Sequence, residues 1–91
     1  MSTRDRDEIR EAITNRLRRA SGHLTKVTAM VVDDAPCVDV AQQLHAVHRA
    51  IAKAKEMYVL DHIENCLDEH TLEERSLAAI KHDLAKIARY L

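Results

Sequence analysis

Residues 36–69 read PCVDVAQQLHAVHRAIAKAKEMYVLDHIENCLDE, and their periodicity decides the fold. Apolar side chains recur at Val40, Leu44, Val47, Ile51, Ala54 and Tyr58, every three or four positions, which predicts a single α-helix. A second stripe on the same helix is Ala46, Ala50, Met57, Leu60 and Leu67. A helix with two apolar stripes packs on two sides, one more than a lone three-helix chain needs. A length of about 30 residues also exceeds the ordinary globular helix. The stretch therefore predicts a helical oligomer.

Upstream, Asp33-Asp34-Ala35-Pro36 is the break. Pro36 suits the first turn of the long helix, with Asp34 or Ala35 as its cap. Before the break, Ile9, Ile13, Leu17, Ala20, Leu24, Val27 and Val31 trace a helix from about Asp5 to Val32. Gly22 lies inside it, where glycine costs about 1 kcal/mol against alanine, and its place predicts a close approach by another helix. Downstream, Thr71 with Glu74 forms a capping box opening a third helix, whose stripe is Leu77, Ile80, Leu84, Ile87 and Leu91. His70 falls in the loop before it. One glycine, one proline and no Asn-Gly or Asp-Gly pair leave little for β-hairpins. The expectation is one all-α domain over 1–91: a three-helix protomer with a long second helix, its first two helices antiparallel, in a dimer or higher assembly.

The net charge of −1 conceals an asymmetry. Residues 1–32 carry seven basic and four acidic side chains, residues 33–70 three and eight. A cationic first segment in a near-neutral chain points to one face that meets an anion. No run of about 18 apolar residues is present to span a membrane, and the charged N-terminus has no apolar signal region, so a cytoplasmic protein is expected. Two cysteines in a reducing compartment read as ligands or redox groups rather than a disulfide. Neither a Ser–His–Asp set, a Gly-rich phosphate loop nor a carboxylate pair is present, which argues against an enzyme.

Three residues carry the chemistry. Cys37 opens the long helix; His62 and Cys66 lie near its far end, four residues and hence one turn apart on one face. A thiolate and an imidazole so placed can grip one metal ion. Roughly 38 Å of helix separates Cys37 from His62, at about 1.5 Å per residue. Cys37 can join the pair only from an antiparallel second copy. Thiolates select Cu(I), zinc or iron–sulfur species, imidazole suits copper, zinc and nickel, and two sulfurs with one nitrogen suit low-coordinate Cu(I). The positive end of the helix dipole favours a thiolate ligand at Cys37. Of the remaining histidines, His45 and His48 in the middle of the long helix and His70 after it read as structural or exposed.

Arg18-Arg19-Ala20-Ser21-Gly22-His23-Leu24, then Ala35-Pro36-Cys37-Val38-Asp39-Val40 with Gln42-Gln43 and Ala46-Val47, then Asp61-His62-Ile63-Glu64-Asn65-Cys66, closely resemble the copper-sensitive operon repressor family along the whole chain. The resemblance implies a homotetramer, a dimer of dimers, that binds double-stranded operator DNA when metal-free and releases it when Cu(I) fills an intersubunit Cys37–His62–Cys66 site. It also implies a basic DNA face on helices one and two rather than a helix-turn-helix. The matching positions are Arg16 and Lys53, with Arg18, Arg19 and Arg49 as neighbours. With no aromatic side chain to stack on bases, such binding rests on phosphate charge and DNA shape. Copper members usually carry a Tyr before the first Cys and a Glu in helix three, both supporting the ligand His. Here those positions hold Pro36 and His82, which makes His82 the candidate for that support. Nickel- and cobalt-responsive relatives place a His in the N-terminal arm, where this chain has Asp5. Persulfide-responsive relatives, acting through the equivalents of Cys37 and Cys66, lack the ligand His. The formaldehyde branch has Pro after Met1, where this chain has Ser2. A helical metal buffer that binds no DNA is the alternative from another class.

Overall fold

The computed structural model describes residues 3–91, with the side chains of 5–68 and 72–91. Every regular element among them is helical: α1 (Thr3–Val32), α2 (Cys37–Cys66), α3 (Glu69–Glu74), α4 (Leu77–Ile87) and a closing 3-10 turn (Ala88–Tyr90). α1 and α2 form an antiparallel hairpin, as the cross-links Arg10–Asp61 and His23–Gln43 require. The molecule measures 56 × 27 × 14 Å. It is little more than one helix deep, since a helix with side chains is about 10–12 Å across, so its core is a seam and not a globule.

That seam is built at seven-residue spacing. Ile13, Ala20 and Val27 of α1 and Val47 and Ala54 of α2 are the buried positions along it, while Val59 and Cys66, also buried, lie about 120–140° further round α2. The predicted stripe on α2 splits accordingly. Val47 and Ala54 are covered, whereas Leu44, Ile51 and Tyr58 stand open to water, as do Leu17, Leu24 and Val31 on α1. A two-helix hairpin covers one narrow strip of each helix, and residues a turn off that strip fall on its shoulder. No helix is long and apolar enough to cross a membrane among the described residues.

The break between α1 and α2 works differently from the sequence expectation. Asp34 is left-handed, φ 59°, and Ala35 N–H donates to Met30 C=O (2.9 Å) while Asp34 N–H donates to Val31 C=O (3.2 Å). This is a Schellman closure with aspartate where glycine is usual. Pro36 is the N-cap residue of α2 itself, and no side chain caps that helix; with the chain already reversed by α1's closure, neither Asp34 nor Ala35 is left to cap it. Asp34→Gly is expected to stabilise the fold by about 0.5–1 kcal/mol by removing the Cβ clash of the left-handed conformation. A urea midpoint that falls instead would show that the aspartate side chain contributes there.

The third helix is also not one piece. α3 covers the backbone of His70, so that residue is not in a loop, and α4 starts afresh at Leu77. The side chain of Thr71, hence its capping box, lies outside the described residues. α4 is capped by Ser76, whose Oγ accepts from Ala79 N–H at 3.1 Å. Ile80 is its one buried side chain, and its contacts with the hairpin are to α2. Gly22 is exposed, and a Cβ built there meets nothing within 4 Å; no helix of the same chain approaches it.

Candidate metal centre and nucleic-acid interface

His62 and Cys66 occupy the last two turns of α2, on one face because they are four residues apart. His62 Nε2 and Cys66 Sγ are 3.5 Å apart. Two metal–ligand bonds of about 2.0–2.3 Å span such a gap, so this donor pair fits one soft ion without rearrangement. Cys66 is buried and His62 half-buried. Beside His62 a shallow groove is lined by Asp83, Lys86, Ile87 and Tyr90. Asp83 is held by Arg75, Nη2 to Oδ2 2.8 Å. That hydrogen bond keeps the Asp83 carboxyl below its ordinary range against the opposing effect of burial, aided by the fields of Arg75, His62 and His82. A lowered carboxyl stabilises the fold above its ordinary pKa, and the contribution is lost as pH falls through the folded value. His82 itself is exposed and does not line the groove. The sequence pattern does not single out Asp83, although its place three residues after the apolar Ile80 puts it on the inward side of α4.

Cys37 is the first residue of α2 and exposed. It sits in a shallow apolar groove with Val31, Ala35, Val40, Ala41 and Leu44. The straight helix keeps it roughly 38 Å from His62. Within one chain the three predicted ligands are therefore two plus one, and among the described residues no three His, Cys, Asp or Glu side chains converge. Both cysteines are free.

The basic residues gather on one side of the hairpin. Arg16, Arg19, His23 and Ala50 line a groove between α1 and α2, which continues past Gly22, Lys26 and Gln43. His23 Nε2–H donates to Gln43 Oε1 at 2.6 Å and ties the two helices across this groove. Lys53 lies three residues after Ala50 and one turn after Arg49, so both stand on the same flank of α2. Lys53 Nζ is 3.6 Å from Glu56 Oε1. Arg18 is exposed and, about 100° round the helix from Arg19, is turned away from the groove. Lys26 was not among the expected residues, yet its spacing of seven from Arg19 gave the signal.

Residues 9–90 match the family model described as metal-sensitive transcriptional repressor. Among curated relatives, the copper-sensing transcriptional repressor CsoR of Mycobacterium ulcerans is 40% identical over 71 residues, covering 78% of this chain and 61% of that protein. The CsoR of Mycobacterium tuberculosis (strain ATCC 25618 / H37Rv) is 35% identical over 72 residues, 79% of this chain and 60% of the relative. That of Bacillus subtilis (strain 168) is 33% identical over 66 residues, 72% and 61%. The chain thus spans about three fifths of the length of these relatives. No solved structure matches it.

Proposed function

Because this chain belongs to the metal-sensitive transcriptional repressor family, we propose that it is a Cu(I)-responsive repressor that binds double-stranded operator DNA when metal-free and releases it when loaded. The observation that carries this reading is the 3.5 Å His62–Cys66 pair at one end of α2, with an exposed thiol at the other. The copper-sensing names of the relatives support the choice of metal. His62 and Cys66 of one copy, with Cys37 of a second, would hold the ion. Bound Cu(I) supplies a soft cation that two thiolates and an imidazole satisfy at low coordination number.

On the other side of each hairpin, Arg16, Arg19, Lys26, Arg49 and Lys53 would meet phosphates, and His23–Gln43 keeps the two helices at fixed separation there. Backbone charge and DNA shape then carry recognition, with no aromatic stacking in the groove. Asp83, which lines the groove beside His62, is the α4 group from which His62 would draw orienting support; His82, the position the resemblance marks, is exposed outside that groove. The test is operator binding to the chain's own upstream DNA, titrated with Cu(I), Ni(II), Zn(II) and persulfide. Release by Cu(I) at the lowest concentration is expected. Release by Ni(II) alone, or by persulfide alone through Cys37 and Cys66, would replace the copper reading.

Assembly follows from the same geometry. For Cys37 to reach His62 and Cys66 of a second copy, two α2 helices must lie antiparallel with their midpoint close to Ile51. The open stripe Leu44, Ile51 and Tyr58 then faces itself, Leu44 against Tyr58 and Ile51 against its own copy. The exposed α1 stripe of Leu17, Leu24 and Val31 supplies further apolar surface for the homotetramer. Ile51→Glu, which puts two like charges together at the axis, is expected to leave a smaller species by sedimentation and to abolish three-ligand Cu(I) binding. An intact tetramer in that variant would reject the α2–α2 interface.

A further inference from the structure

One side chain in the α1–α2 seam is not accounted for by packing. The buried apolar positions recur every seven residues, and the next positions in the series are Arg6 on α1 and Asp61 on α2, at the same end of the hairpin. Asp61 is 3% exposed, the one buried charged residue among those described. Its Oδ2 lies 3.9 Å from Nε of Arg10, whose side chain is 55% exposed. Its Oδ1 is buried without a hydrogen-bond partner among the described residues, and so is Nε of Arg6. Burying this carboxylate strips it of water, while Oδ1 gains no hydrogen bond and Oδ2 only a 3.9 Å contact with an exposed guanidinium, so its burial costs more than it returns. Stability therefore does not explain the charge. Two arginines one turn apart on α1, each with capacity to spare, offer Asp61 two alternative partners.

Asp61 is also the residue before His62. About 100° of helix rotation separates them, so that Asp61 faces α1 while His62 stands with Cys66 on another face. A rigid helix moves both together. Anything that draws His62 and Cys66 toward a second copy shifts Asp61 against α1. We infer that Asp61 is the positioning residue that carries the state of the His62–Cys66 end to α1, exchanging Arg10 for Arg6 as its partner. This rests on the function proposed above. A one-turn exchange is a discrete two-state change of the kind packed helices support. α1 is continuous from Thr3 to Val32 and delivers the change to Arg16 and Arg19, about two turns beyond Arg10.

The experiment compares wild type with Asp61→Asn, Asp61→Leu and Arg6→Gln, using Cu(I) alone and then operator DNA. Amide exchange across residues 6–13 is expected to change on Cu(I) addition in the wild type and to stay unchanged in the three variants, all of which still bind Cu(I). The ratio of metal-free to Cu(I)-loaded operator affinity is expected to fall by about tenfold or more in the variants, with metal-free affinity within about threefold of wild type. Asp61→Leu, expected to melt at or above the wild-type temperature, keeps the test decisive if Asp61→Asn does not fold. Exchange at 6–13 that ignores Cu(I) in the wild type, or responds equally in the Asp61 variants, overturns the inference. A Cu(I)-dependent change in exchange with no change in operator affinity would instead reject the repressor reading and leave the coupling through Asp61 standing.

Discussion

Cys37→Ala is expected to weaken Cu(I) binding by more than about 100-fold and to leave the protein on its operator at every copper concentration. Loss of a mere orienting neighbour of a ligand already costs about 10–100-fold, and under the proposed function Cys37 would be a ligand in its own right. Its removal would also take away the proposed link between copies, leaving His62 and Cys66 of one chain only each other at 3.5 Å. The two cysteines should differ in a second respect. Cys37 is exposed at the start of α2, so its loss should leave the melting temperature unchanged. Cys66 is 4% exposed, and Cys66→Ala should cost roughly 1 kcal/mol of stability besides the metal, as a buried small side chain does. Competition with a chromophoric Cu(I) chelator, paired with thermal melts, reads both quantities. A Cys37→Ala protein that binds copper and releases DNA like the wild type would reject the intersubunit site.

The second large effect belongs to the groove. Replacing Arg16 and Arg19 together by alanine should lower operator affinity by about 100-fold near 0.1 M salt and reduce the slope of log affinity against log salt by about two, one per lost phosphate contact. Both side chains line one groove, so they approach the same stretch of backbone. Lys53→Ala should do less, because Glu56 already neutralises part of that charge at 3.6 Å. Arg18→Ala, on the turned-away side, is the control and should do least. Equal losses for Arg18 and for the Arg16/Arg19 pair would mean that charge acts at long range and that the groove has no special part.

Much of this is legible in the sequence itself. The three-and-four spacing of Ile13 to Val27 and of Val40 to Tyr58 specifies two long helices, and helix rise alone separates Cys37 from His62. The four-residue spacing of His62 and Cys66 likewise brings their donor atoms together in the fold. What escaped the pattern depended on backbone conformation or on depth. Asp34 closes α1 in a left-handed state that sequence rules assign first to glycine. A second cap at Ser76 divides the last helix because Ser76 Oγ competes successfully for Ala79 N–H, while the apolar stripe runs on regardless. Asp61 has the sequence look of an exposed helix residue, and only the seven-residue register of the seam reveals that it is inside. Asp83 and Lys26 were hidden for the opposite reason: charged residues at helical spacing are common, and the partner element decides which of them converge.

The plate-like shape has a consequence for how much of this protein a cell can hold. Among the described residues more large apolar side chains face water than face the seam, from Leu17 and Leu24 to Leu44, Ile51 and Tyr58. Under the proposed assembly a freshly made chain would depend on meeting another for most of its protection, and its stability would be a function of its own abundance. Melting temperature should climb with protein concentration, and a melt independent of concentration over a hundredfold range would show the hairpin standing alone. Below the threshold of that proposed assembly, solitary chains would be the form open to proteolysis; above it, they would survive together. Steady-state level would then respond to synthesis more steeply than in proportion, giving the cell a sharp boundary between having this protein and lacking it.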